Sequence, residues 1–353
     1  MSVALPVVRG RGAATNLPNR FERLHLDREG WSDPDDPGPR TEFLRDRARS
    51  ILVRNDSPDV GFDVGINPYR GCEHGCAYCY ARPNHEYLGL SAGLDFESRI
   101  FVKHEAPDLL RTALASPRWR PEPIMMSGVT DCYQPAERRL RITRRCLEVL
   151  AEFGNPVGIT TKSYLVTRDV DLLGRLASLG AAGVVLSITS LRNEIQRSLE
   201  PRASSPARRL GAIRVLADAG IPVGVNVAPV IPGLTDHEIP AILEAAADAG
   251  ATFANFILLR LPHGVKEVFT EWLAAHAPDR KDKVLNRLRS LRGGALYDGR
   301  FAVRGRGEGP FAEQIRSLFE VSRARVGLGP APTLSTAGFR RPEVTKRQMD
   351  LFA

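Results

Sequence analysis

Three of the five cysteines fall within one short passage, Asn67-Pro68-Tyr69-Arg70-Gly71-Cys72-Glu73-His74-Gly75-Cys76-Ala77-Tyr78-Cys79-Tyr80. The spacing is Cys72-x3-Cys76-x2-Cys79. Gly71 and Gly75 let the backbone fold closely around a bound group. Three thiolates on one loop can hold three irons of a 4Fe-4S cluster and leave the fourth iron without a protein ligand. An open iron accepts an outside ligand, as the open position of a catalytic zinc does. Two other readings stand beside this one. A closed zinc site would take His74 or His85 as its fourth ligand. An electron-transfer cluster would take a distant fourth cysteine, Cys132 or Cys146. Closed zinc sites usually come as two Cys/His pairs, and common ferredoxin spacings differ from this one.

Further polar residues recur after successive apolar runs. Met126 to Pro135 carries Thr130, Asp131, Cys132 and Tyr133. Thr160-Thr161-Lys162-Ser163 holds the one lysine between Lys103 and Lys266. Ser187 and Asn226 lie in the next two apolar runs. Each also has a plain structural reading. Thr130 and Asp131 would cap the helix that follows, and Lys162 would be an exposed loop cation. Ser187 would be satisfied by neighbouring backbone, and Cys132 would be a small buried side chain.

The elements that must carry these residues alternate. Strand-like runs are expected at Gly61–Asn67, Pro123–Ser127, Pro156–Thr161, Gly183–Ile188, Pro222–Val227 and Thr252–Leu258. Helical patterns are expected at Pro107–Ala115, Pro135–Phe153, Asp169–Leu179, Pro206–Ala219 and Asp236–Ala249. Gly154, Gly180, Gly220 and Gly250 read as helix stops. Cys146 lies on the apolar stripe of its helix and reads as core. Strands each followed by a helix imply an α/β fold with a mostly parallel sheet. Polar motifs after successive strands favour an incomplete (β/α)6 barrel over its rival, a doubly wound open sheet. Residues 1–54 read as an irregular N-terminal arm, and 55–277 as the core barrel. Residues 278–342 read as a small basic accessory segment, and 343–353 as a flexible tail.

The cysteine spacing, with Tyr78 before the last cysteine, resembles the radical S-adenosylmethionine (SAM) superfamily over residues 55–275. The resemblance implies a 4Fe-4S cluster on Cys72, Cys76 and Cys79, with SAM chelating the open iron. It implies reductive cleavage of SAM to a 5′-deoxyadenosyl radical that abstracts hydrogen from a substrate. Tyr78, Tyr80, Thr130, Asp131, Lys162, Ser187 and Asn226 become candidate SAM contacts. Tyr80, Lys162 and Ser187 are similar to the spore photoproduct lyase, or DNA repair photolyase-like, branch. That branch carries a hydrogen-returning cysteine after the second strand, where this chain has Gly128. Cys132 and Tyr133 are the candidate donors in its place.

The chain has 353 residues, 43% hydrophobic and 25% charged, the balance of a globular protein with a sizeable core. No apolar run reaches the roughly 18 residues of a membrane span, and no secretory signal is visible, so a cytoplasmic location is expected. The net charge is +8, and the excess lies in residues 278–353, with 16 basic residues against 8 acidic. Gly299 to Gly307 mixes arginines with Phe301, a composition suited to a phosphate backbone. A nucleic-acid substrate is therefore expected; a peptide or small-molecule substrate, and a non-catalytic cluster module, are the alternatives. An external electron donor is implied. Gln348, Met349, Leu351 and Phe352 resemble the bacterial sliding-clamp-binding peptide and make the clamp a candidate partner.

Overall fold

The computed structural model describes residues 7–22 and 39–342. The tail that carries the clamp-like peptide lies outside them.

Among the described residues there are ten strands: β1 (Glu42–Arg45), β2 (Leu52–Arg54), β3 (Val64–Ile66), β4 (Tyr69–Arg70), β5 (Arg99–Val102), β6 (Ile124–Met126), β7 (Val157–Thr161), β8 (Ala182–Ile188), β9 (Val223–Val230) and β10 (Phe253–Leu258). The helices are α1 (Leu94–Ser98), α2 (Ala106–Ala115), α3 (Glu137–Leu140), α4 (Ile142–Phe153), α5 (Val170–Ala177), α6 (Asn193–Leu199), α7 (Pro206–Asp218), α8 (Ile239–Asp248), α9 (Val265–His276), α10 (Pro278–Ser290) and α11 (Pro310–Arg325).

A seven-stranded sheet runs in the order β10-β9-β8-β7-β6-β3-β2. Its first six members are the six expected strands, all mutually parallel. They stand in chain order, with none of the reversal that defines a doubly wound sheet. Strands β7, β8 and β9 are buried on both faces, which is why their sequences read as continuous Val, Ile and Ala runs. The four expected stop glycines all take positive φ.

The described part of the N-terminal arm holds regular structure that its sequence does not suggest. Two strands lie within it: β1 pairs parallel with β5, and β2 closes the large sheet antiparallel to β3. Arg11 donates to the Glu97 carbonyl at 2.6 Å, and a Cβ on Gly12 would sit 1.8 Å from the Gly75 carbonyl oxygen. The arm therefore packs directly on the cysteine loop. The helix expected over Pro135–Phe153 is broken at Arg141, which takes φ 54°. Glu137 turns its carboxylate forward to accept the N–H groups of Thr143 (3.0 Å) and Arg144 (3.3 Å), so α4 starts afresh.

Residues 278–342 share the main cores. Val284, Leu285 and Leu288 of α10 pack with Phe269 and Trp272 of α9. Ile315 and Phe319 of α11 join the principal core beside α8. Among the described residues no helix is long and apolar enough to cross a membrane.

Candidate functional site

Parallel strands in register deliver the loops that follow them to one edge of the sheet, where α/β ligands bind. A cavity of 260 Å³ lies there. Cys72, Cys76 and Cys79 line it, together with Tyr78, Tyr80, Thr130, Asp131, Lys162, Ser187 and Asn226. Ser187 and Asn226 are direct partners across β8 and β9, which sets them side by side.

The cysteine loop is fixed from several sides. Gly71 and Gly75 take φ 81° and 65°, where a Cβ would meet the Phe96 carbonyl oxygen at 2.9 Å and Glu97 Oε2 at 2.5 Å respectively. Gln134 spans the loop, accepting the Glu73 N–H (2.9 Å) and donating to the Gly71 carbonyl (3.1 Å). Arg82 is fully buried. It donates to the carbonyls of Cys76 (2.9 Å), Ala92 (3.1 Å) and Gly93 (2.9 Å), and pairs with Glu97. A second buried pair, Arg209 with Glu200, accepts the Tyr78 phenol through Glu200. These pairs are invisible in the sequence, where charged side chains read as surface.

Burial raises the pKa of all three thiols. Unpaired thiolates are disfavoured in such a place; a cationic metal centre reverses that preference by taking up the charge. Lys162 supplies positive charge nearby, with Nζ 5.8 Å from the Tyr78 ring centroid. Two buried atoms on cavity residues, Asn226 Oδ1 and Arg260 Nε, have no hydrogen-bond partner among the described residues. Buried polar atoms are normally paired, so both are positioned for a bound group.

Other sequence candidates are already engaged. Asp131 accepts from Thr161 Oγ1 (2.8 Å), the Lys162 N–H (2.8 Å), the Tyr133 N–H (2.9 Å) and His74 Nδ1 (3.3 Å). Burial pushes its pKa up, but the His74 ring and these donors outweigh it and hold it at about 2. The Thr130 hydroxyl donates to the Tyr69 carbonyl at 2.8 Å, and the Tyr80 hydroxyl to the Gly128 carbonyl at 2.7 Å.

The structure sets Cys132 and Tyr133, the two candidate hydrogen donors, apart from the cavity wall. Neither lines the cavity; both are fully buried in the principal core. Tyr133 donates its hydroxyl to Asp169 at 3.0 Å. A hydrogen donor must reach the reacting atom, and these point into packing. Of the two histidines the zinc alternative needs, His74 lines the cavity but turns Nδ1 to Asp131, and His85 donates Nε2–H to the Arg99 carbonyl at 2.9 Å. Among the described residues no three His, Cys, Asp or Glu side chains converge on one metal-sized point. A cubane holds its irons on separate corners, so its thiolates need no single focus. Cys146 is in the core, as its stripe position implied, and like Cys132 it stands away from the cavity.

Sequence reasoning missed Arg260, Phe62 and Pro229 as lining residues. Arg260 closes the sixth strand's apolar run, so a cation at a strand's C-terminal end was the available signal.

A radical SAM superfamily model matches residues 66–246, just over half of the chain. The chain belongs to the radical SAM superfamily. Superfamily members use a 4Fe-4S cluster and SAM, and the three thiols, Lys162 and the two unpaired atoms fit that pair. An uncharacterized protein of Mycobacterium tuberculosis is 37% identical over 220 residues, 62% of this chain and 65% of that protein, so the match spans less than two thirds of the relative. An uncharacterized protein of Methanocaldococcus jannaschii is 32% identical over 197 residues, 56% of this chain and 71% of that one. Spore photoproduct lyase complexed with dinucleoside spore photoproduct shares the fold, with TM-score 0.59 at 18% identity over 81% of this chain and 80% of that one. A spore photoproduct lyase mutant with bound AdoMet and dinucleoside spore photoproduct gives TM-score 0.58 with the same coverage.

Proposed function

We propose that this protein is a radical SAM enzyme acting on nucleic acid, its sheet forming an incomplete six-stranded barrel. The observation that carries the reading is the single cavity shared by Cys72, Cys76, Cys79, Lys162, Ser187 and Asn226 at the strands' C-terminal edge. In this reading the three cysteines hold the cluster. Lys162, Ser187, Asn226 and Tyr80 face SAM, while Thr130, Asp131 and Tyr78 position the loops around it. Bound there, cluster and SAM supply one-electron reductive cleavage and hydrogen-atom abstraction. The protein's share is to orient both and to keep water away from a reactive species.

The nucleic-acid part rests on where the basic segment goes. The loop from Gly299 to Gly307 reaches the cavity rim. The Gly305 carbonyl accepts from the Leu258 N–H at 2.9 Å, and Arg304 pairs with Asp59, next to the lining residue Val60. The Arg304 guanidinium lies 4.6 Å above the ring of Phe301, which is half exposed. An exposed aromatic backed by an arginine beside a cavity suits an unstacked base. An external electron donor belongs to the same proposal.

Reduced, anaerobically reconstituted protein given SAM should form 5′-deoxyadenosine, faster with DNA or RNA present, and C76A should form none. Absence of 5′-deoxyadenosine from cluster-loaded protein would remove the reading; formation that no nucleic acid stimulates would remove its substrate half.

A further inference from the structure

A second and larger cavity, of 610 Å³, lies outside the cysteine site. It is bounded by the start of α6, the loop after β9 and the turn between α9 and α10. Arg192, Arg280, Lys283 and Arg287 line it. We propose that this cavity binds phosphate groups of a nucleotide or polynucleotide.

The argument begins with α10. Arg280, Lys283 and Arg287 are spaced by three and four residues, so they occupy one helical face. Val284, Leu285 and Leu288 bury the other face in the core, so the cations are held in place. Among the described residues none of the three has a carboxylate partner within salt-bridge distance. Arg192 comes from the opposite wall and is held by Glu238 at 3.0 Å and by the Leu234 carbonyl at 2.8 Å.

Two aspartates also line the cavity. Asp236 is engaged, accepting the Gly233 N–H at 3.0 Å. Asp279 sits in the first turn of α10, where the helix dipole favours it. Glu238 neutralises Arg192, so three free cations against two carboxylates leave a positive concavity, and the volume falls within the roughly 300–1,000 Å³ of small-molecule sites. Like charges gathered in a concave wall repel unless an anion joins them, and arginine with lysine is the pairing that recognises phosphate. A flat acidic protein surface would leave the concavity unfilled, so the chemistry favours phosphate groups.

The test uses the full chain with its cluster. Inorganic pyrophosphate is titrated by calorimetry, and fluorescein-labelled single-stranded DNA by anisotropy across salt concentrations. R280Q/K283Q changes two exposed side chains and should weaken pyrophosphate binding about tenfold, the scale of one lost charged hydrogen bond. R175Q, on the exposed face of α5, should leave it unchanged. A parallel loss of DNA affinity, with a salt slope shallower by about 1.4, identifies a polynucleotide as the source. A loss confined to pyrophosphate identifies a nucleotide-sized ligand. Absence of pyrophosphate binding, or equal affinity in R280Q/K283Q and the parent, overturns the proposal. The proposed function fails separately, through missing 5′-deoxyadenosine in the same preparations.

Discussion

Asp131 is the strongest place to test how the cavity is held. Its carboxylate ties three segments together: the cysteine loop through His74, the end of β7 through Thr161 and Lys162, and its own loop through the Tyr133 N–H. D131N keeps the shape but replaces one acceptor oxygen with a donor. One orientation of the amide faces the Lys162 N–H, now 2.8 Å from Oδ2; the other faces the Tyr133 N–H, now 2.9 Å from Oδ1. Either leaves a buried N–H unmatched, at a cost of about 1–3 kcal/mol. The charge adds a further part. The folded protein holds the Asp131 pKa at about 2, below the ordinary 3.8, and the side chain is only 11% exposed. At about 1.4 kcal/mol per pH unit of displacement, the ionised form contributes about 2 kcal/mol. Because the folded pKa is depressed, that contribution is full above pH 3.8 and fades as pH falls toward 2. D131N should therefore retain its iron yet bind SAM about 10–100-fold more weakly, as Lys162 loses its anchor. Equilibrium binding of SAM to anaerobic protein, with iron analysis alongside, measures this. In urea denaturation of the apoprotein, the parent's advantage over D131N should shrink below pH 4. A D131N protein that binds SAM like the parent and shows no stability deficit at neutral pH would refute the reasoning.

Two further perturbations separate the site from its surroundings. C132A removes a buried thiol that does not line the cavity, so it should cost about 1 kcal/mol in stability and leave the 5′-deoxyadenosine yield unchanged; a collapse of turnover with the cluster intact would restore the hydrogen-donor role. R82M breaks the buried pair with Glu97 and frees the Cys76 carbonyl, so urea denaturation should show a loss of about 3–5 kcal/mol and iron content should fall, both partly restored in R82M/E97Q.

The six parallel strands were legible because burial on both faces leaves a direct trace: unbroken runs of β-branched and small residues. The strands that were missed leave none. β1, β2, β4 and β5 have two to four residues each, and β1 pairs with a segment far along the chain, Glu42 opposite Arg99. A pattern that short has no period to detect, and its partner is fixed only by the completed fold. The break at Arg141 is hidden for a different reason. No glycine or proline marks it, and the cause is the Glu137 carboxylate reaching forward to the next helix.

Within the site, what could be read was set by whether a residue belongs to a periodic element. Ser187 and Asn226 lie on strands, where alternation decides the face, and the register puts them together in the cavity. Cys72, Cys76 and Cys79 share one loop whose glycines restrict its path. Asp131 and Cys132 are neighbours in an irregular loop, and there adjacency says nothing about direction. Asp131 faces the cavity because four donors from three segments converge on it; Cys132 faces the core because its N–H is taken by Ser127 at 2.9 Å and its carbonyl by the Thr143 hydroxyl at 2.6 Å. Those partners lie five and eleven residues away, so a thiol chosen by its nearness to the motif was placed by contacts the motif does not contain. The cavity was thus foreseeable wherever regular secondary structure aims the side chain, and it needed the structure wherever hydrogen bonds between distant segments do.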